Sequence, residues 1–206
     1  MIAPPIEDIV QAGRAFNPRL VTPLDDVRAK VGALFHALDT QEIPYLLVGG
    51  VALLSYVHGR NTQVVDLILD AADLDRVGWT VTGRDRDVAR ADLHGLRIDL
   101  LLTDNALFDH VRRTRAVTAT YGDRTVPCAS REGLLLLKLY ALPSLCRQGE
   151  FDRAALYETD ILMLHRSAAV DDDALLAELV PHMAASDIAE LRAILAEQRG
   201  RRRFGG

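Results

Sequence analysis

Cysteine is scarce in this chain. Only Cys128 and Cys146 occur among its 206 residues, each in an apolar context and without paired spacing. A disulfide framework or a zinc site is therefore not expected, and a reducing cytoplasm is the natural compartment. Long hydrophobic runs are missing too. Uninterrupted apolar stretches stop at lengths such as that of Leu134–Leu137, far from the ~20 residues a membrane span needs. The first residues, MIAPPIEDIV, carry no basic patch ahead of an apolar run, so no signal peptide is expected. His58, His94, His110 and His165 are scattered with no metal-ligand spacing. No Ser–His–Asp order is legible, since a triad is recognised by geometry. An excess of positive charge is also absent. The formal net charge of −5 argues against a protein that coats nucleic acid through bulk charge.

What is present suits a folded globular protein. Hydrophobic residues make up 49% and charged residues 26%, enough to bury a core without staples. Basic residues cluster at Arg112, Arg113 and Arg115, and again from Arg199 to Arg203. These are read as a solvated helix end and a disordered terminus, with contact to RNA as the alternative.

Thr22-Pro23 followed by Asp25 is a helix start, and Val27, Val31, Leu34, Phe35 and Leu38 recur at helical spacing to an end near Thr40. Tyr45–Val48 reads as a buried strand broken by Gly49-Gly50. A helix-compatible stretch from Val51 to Val57 follows and stops at His58-Gly59. Further strands are expected at 63–69, 79–82, 88–94 and 96–102, the last two joined by a turn at His94-Gly95, with a helix over 104–113 and a hairpin over 117–126. From Ser130 the pattern is helical, with helices over 130–142, 151–165, 171–183 and 186–198. Strands followed by a helical block predict an α+β fold. The expected division is an α/β core over 1–128, a helical region over 129–198 and a disordered basic tail over 199–206.

The stretch Tyr45–Asp70 carries the chemistry. Gly49-Gly50 at a strand–helix junction lets backbone N–H groups approach an anion, although plain turn geometry is the commoner reason for such a pair. Gly59-Arg60-Asn61-Thr62 then leads into a strand holding Asp66, and Arg97-Ile98-Asp99-Leu100 puts a second carboxylate inside an apolar strand. An acid there is costly unless paired or bound to a cation. Two acids on neighbouring strands suit Mg²⁺, which takes carboxylate oxygens and brings a triphosphate with it. A salt bridge from one acid to Arg97 or Arg60 is the alternative.

Gly49-Gly50-x-Ala52, Gly59-Arg60-x-Thr62-x-x-x-Asp66-Leu67 and Ile98-Asp99-Leu100-Leu101 together resemble the nucleotidyltransferase superfamily. The resemblance is nearest to the bacterial branch of abortive-infection-type toxins and extends from about Tyr45 to His165. It implies a nucleotidyltransferase-like mixed-sheet core with flanking helices and a C-terminal helical bundle. It also implies transfer of a nucleoside monophosphate from an NTP to an RNA, protein or small-molecule acceptor, with Mg²⁺ as cofactor. An antitoxin-like protein partner is implied, and a membrane is not. By the same resemblance Gly49 and Gly50 face the triphosphate, with Arg60 and Thr62 beside the phosphates. Asp66 and Asp99 hold metal, Asp99 also takes the acceptor's proton, and Lys138 reaches the phosphates. For Lys138 the alternative is a stem lying along leucines with the amine snorkelling out.

The pattern departs from the family at Val64, where the first acid of an Asp-x-Asp pair would stand. Val64 and Asp66 share a strand face, so the missing oxygen would have pointed at the metals. Asp70 shares that face but lies roughly 13 Å from Asp66 at about 3.3 Å per residue, too far to replace it. Gly50 is a milder difference, since many superfamily members have Ser there. The expectation is a weakened enzyme. The alternatives are a binding module that kept the fold and lost the chemistry, and a generic α+β domain whose acids are ion-paired.

Overall fold

The structure is a computed structural model that describes residues 24–57, 64–121 and 123–204, with side chains described for 29–57, 64–121 and 123–200. The Thr22-Pro23 start and the Gly59–Thr62 segment, with Arg60 and Thr62, lie outside the described residues, as does Gly122. The chain divides into two compact units, residues 1–130 and 131–206.

The first unit is built on a mixed seven-stranded sheet in the order β3-β4-β5-β2-β1-β7-β6. Its strands are β1 (Tyr45–Val48), β2 (Val64–Leu69), β3 (Thr80–Arg84), β4 (Val88–Leu93), β5 (Leu96–Leu102), β6 (Ala116–Tyr121) and β7 (Arg124–Ala129). β1 runs antiparallel to β2 and parallel to β7, and β2 runs parallel to β5. All four residues of β1 are buried, as a strand in the middle of a covered sheet requires. Helix α1 (Leu24–Thr40) ends where its apolar spacing ends. It buries Val31, Leu34, Phe35 and Leu38. Phe35 stacks on Tyr45 at 5.8 Å and meets Tyr121 edge-on at 5.3 Å, so one aromatic side chain ties α1 to both β1 and β6. The β4–β5 turn is the expected His94-Gly95, with positive φ at both residues, the geometry that matches strand twist.

Short helix α2 covers Gly49–Leu53 and so begins at the glycines rather than at Val51. Helix α3 (Ala106–Thr114) is capped by Asn105, whose side chain accepts from the Leu107 and Phe108 N–H groups. Arg112 and Arg113 fall in its last turn and pair with Asp109, the arrangement expected of a helix end.

The second unit consists of α4 (Arg131–Arg147), α5 (Phe151–Ser167), α6 (Asp172–Leu179) and α7 (Ala185–Phe204). Helix α6 stops at Leu179 rather than near Met183, and two further boundaries differ from the sequence reading. Helix α4 runs through Pro143 to Arg147 instead of stopping at Leu142. Leu139, Leu142, Pro143 and Leu145 are all buried, and that burial offsets the ~3 kcal/mol a mid-helix proline costs. Helix α7 continues to Phe204, so residues 199–204 are helical rather than a disordered tail. An anchor holds this end: Arg199 Nε lies 3.0 Å from Asp172 Oδ2. The same carboxylate receives His165 Nε2 at 2.5 Å, while His165 Nδ1 lies 2.8 Å from the Ile161 carbonyl. Asp171 is the α6 cap, accepting from the Asp173 and Ala174 N–H groups, which leaves Asp172 to join α5 and α7. Among the described residues no helix is long and apolar enough to cross a membrane.

Both cysteines are free, and burial pushes the Cys128 thiol up to about 12, so it stays protonated and unreactive. Asp172→Ala should cost about 2–3 kcal/mol, because it strands a buried imidazole and releases Arg199. Urea unfolding checks the loss. In hydrogen exchange the last turns of α7 should lose protection before the α4–α5 pair does.

Candidate functional site

Strand periodicity builds the site. In β5, Leu96, Ile98, Leu100 and Leu102 are buried, while Arg97, Asp99 and Leu101 are more open. One face of the strand therefore belongs to the core and the other carries polar side chains. β2 and β5 pair in parallel, with Val64 level with Arg97, Asp66 with Asp99 and Ile68 with Leu101. The two acids named from the sequence thus stand side by side on one sheet face, on strands about 4.8 Å apart.

On its other side β2 pairs with β1, and Val48 lies level with Asp66. The chain leaves β1 at Gly49 with φ of +63°, and the Asp66 carboxylate fills the space beside that glycine. A β-carbon on Gly49 would fall within the Asp66 side chain. Asp66 Oδ2 also accepts the Gly50 N–H at 3.2 Å. Gly49 is therefore needed twice, for its backbone conformation and for the close approach. Plain turn geometry accounts for Gly49, and that same turn aims Asp66 at the glycines.

Val64 is half-buried on the same face as Asp66. Asp70 lies beyond the strand, where its side chain caps the turn at Ala71–Asp73 by accepting from the Ala72 N–H at 2.9 Å. It is not a substitute ligand. Among the described residues no lysine or arginine pairs with Asp99, and Arg97 stands level with Val64 and Asp92 instead. Arg90, which the sequence reading did not single out, is level with Asp99 on β4 and is exposed. The alternation of Val88-Ala89-Arg90-Ala91-Asp92 carried that signal, placing Arg90 and Asp92 on one face. The resulting row is Arg90, Asp99, Asp66.

Like charges side by side on neighbouring strands are unfavourable unless a cation or a proton joins them. Two carboxylates suit one Mg²⁺ completed by water or phosphate oxygens. Among the described residues no cluster of three His, Cys, Asp or Glu side chains is arranged to hold a metal. The donor set therefore fits one cation better than two.

Lys138 lies in the helical unit. It is buried, its Nζ is 2.7 Å from Asp160 Oδ2, and it sits 4.3 Å over the Tyr157 ring. The amine is engaged between α4 and α5 and does not snorkel out.

This arrangement of strands is the nucleotidyltransferase fold. The solution structure of the antibiotic-resistance factor ANT(2")-Ia is similar to it, with a TM-score of 0.53 and 13% identity over 88% of this chain and 97% of that one. ANT(2")-Ia in complex with adenylyl-2"-tobramycin gives 0.53 and 14% over 85% and 98%. An antigenic nucleotidyltransferase-like protein from Paracoccidioides brasiliensis gives 0.54 and 17% over 85% and 89%. No family model and no curated protein sequence matches the chain.

Gly49→Ala should destabilise the protein by at least about 2 kcal/mol, from the positive φ and the collision with Asp66. Adding Asp66→Ala should recover part of that loss in a double-mutant cycle. Strict additivity in denaturant melts would mean that Gly49 and Asp66 do not act as a unit.

Proposed function

We propose that the chain is a nucleotidyltransferase-like protein whose Mg²⁺-dependent transfer of a nucleoside monophosphate is impaired at Val64. The observation that carries this reading is the level pairing of Asp66 with Asp99 beside Gly49-Gly50, with an apolar side chain in the next position on the same face.

Asp66 and Asp99 are the residues that would hold Mg²⁺. When bound, the ion neutralises phosphate charge and favours departure of pyrophosphate. Asp99 accepts the proton of an acceptor hydroxyl. The hydroxyl oxygen bonds to the α-phosphorus as the bond from that phosphorus to the bridging oxygen breaks. The Gly49-Gly50 backbone, Arg60 and Thr62 orient the triphosphate. Val64 withdraws the oxygen that would complete a second cation site, and an apolar side chain there also disfavours tight Mg·NTP binding. The pairing of Lys138 with Asp160 supports a structural role for it in this reading, in place of the phosphate contact that the resemblance implies.

RNA, protein and small molecules remain the acceptor classes. The adenylyl-tobramycin complex of ANT(2")-Ia lends support to the small-molecule class. The abortive-infection branch, a cytoplasmic setting and an antitoxin-like partner rest on the motifs alone. The second reading is a binding module that retains the fold without the chemistry. It is favoured by the Gly50 N–H being taken by Asp66 rather than left open to phosphate.

Incubation with α-labelled NTPs, Mg²⁺, total RNA and the protein itself tests the proposal. Wild-type protein should label weakly, and Val64→Asp should raise labelling about tenfold or more, equivalent to ~1.4 kcal/mol of barrier. Adding Asp99→Ala to Val64→Asp should abolish it. Strong wild-type labelling that Asp99→Ala removes would overturn the impairment. No gain in Val64→Asp, together with no measurable NTP binding by either form, would overturn the enzyme reading.

A further inference from the structure

Val64 and Arg97 are neighbours, and their pairing gives the loss of the acid at position 64 a second meaning. β2 and β5 run in parallel with Val64 level with Arg97, so the two side chains share one face, a strand spacing of about 4.8 Å apart. Arg97 is exposed, and among the described residues no carboxylate pairs with it. Three acids surround it on this face. Asp99 is two residues further along β5, and Asp66 is level with Asp99 on β2, so both stand on the next level. Asp92 is level with Arg97 on β4, but its Oδ1 accepts the Gly95 N–H at 2.8 Å in the β4–β5 turn. On β2 the nearest side chain is a valine. An acid there would draw the guanidinium into an ion pair; valine leaves it uncommitted.

The register also shows which end of the acid pair faces the glycines. β1 runs antiparallel to β2, from Tyr45 level with Leu69 to Val48 level with Asp66. The chain therefore leaves β1 at Gly49-Gly50 heading toward the Val64 end of β2, which is also the Arg97 end of β5. Across the sheet at this end the order is glycine turn, Val64, Arg97, and none of these carries negative charge. Arg90 is placed differently. It is level with Asp99 on β4, one strand farther from the glycines.

A carboxylate that holds a Mg²⁺ ion leaves one net positive charge, and a valine beside a guanidinium leaves one as well. Exchanging the first arrangement for the second removes a ligand and its ion together and keeps the attraction for a triphosphate. A guanidinium suits that exchange: its planar fork meets phosphate oxygens two at a time, it is always charged, and it needs no coordination shell. We propose, resting on the nucleotidyltransferase function proposed above, that Arg97 takes the place of the second metal ion and binds the terminal phosphates of the NTP. Asp66 and Asp99 then need to hold one ion only, and Val64 and Arg97 act as a unit.

Calorimetric titration with inorganic triphosphate and with each of the four NTPs in Mg²⁺ tests this. Arg97→Ala should weaken binding about tenfold, equivalent to ~1.4 kcal/mol. Arg97→Lys should lose less, because the charge stays while the fork is lost. Arg90→Ala should change affinity by about twofold or less, the effect of a more distant charge. In the Val64→Asp background, Arg97→Ala should cost only about threefold or less, because an ion supplies the charge there. With Mn²⁺ as the probe, electron paramagnetic resonance at saturating NTP should count one bound ion in the wild type and two in Val64→Asp. Arg97 is exposed, so its variants should melt like the wild type. Unchanged affinity in Arg97→Ala overturns the inference, as does an equal loss in Arg90→Ala, an equal loss in both position-64 backgrounds, or two Mn²⁺ ions in the wild-type complex. Each of these leaves the nucleotidyltransferase reading standing. No binding of triphosphate or NTP by any form overturns both.

Discussion

Strand β2 is the hinge of the architecture because its register is fixed on both sides. β1 holds it antiparallel with Val48 against Asp66, and β5 holds it parallel with Asp66 against Asp99. A one-residue slip on either side would turn Leu67 and Leu69, both fully buried, out of the core. The apolar face therefore sets where the acids lie. Burial of Val65, Leu67 and Leu69 on β2, and of Ile98, Leu100 and Leu102 on β5, brings the two carboxylates level with no attraction between them.

That division of labour explains what the sequence made legible. Alternation marked Asp99 as opposed to Ile98 and Leu100, and the helical spacing of Val31, Leu34, Phe35 and Leu38 marked α1. Both patterns are local, and both elements form where the spacing places them. The level pairing of Asp66 with Asp99 is not local, since it depends on β2 and β5 being neighbours across an intervening hairpin. The shared motifs supplied that adjacency. Arg90 went unnoticed for the opposite reason: its alternation was plain, but its place across from Asp99 follows only from the pairing of β4 with β5.

Proline and charge misled the reading of the helical unit. Pro143 looked like a stop, yet the apolar residues around it keep α4 helical, because the lost hydrogen bond is smaller than the burial it would forfeit. The basic tail looked like a disordered terminus, yet Arg199 reaches a buried aspartate already bound to His165. Lys138, which the resemblance sets beside the phosphates, has its amine 2.7 Å from Asp160 Oδ2, and Asp160 is fully buried on the neighbouring helix. Such long-range pairings of side chain with side chain leave no periodic trace in a sequence.

The fit between Gly49 and Asp66 bears on how such a chain drifts over generations. A carboxylate that also fills the space beside a left-handed glycine and receives its neighbour's N–H is retained for folding even if catalysis is no longer under selection. Under the proposed function, Asp66 would then outlast the activity and record little about whether that activity persists. Asp99 has no comparable structural duty among the described residues, so under the proposed function it is free to mutate once that chemistry is abandoned. In descendants of this chain, the fate of position 99 is the more faithful clock of lost function.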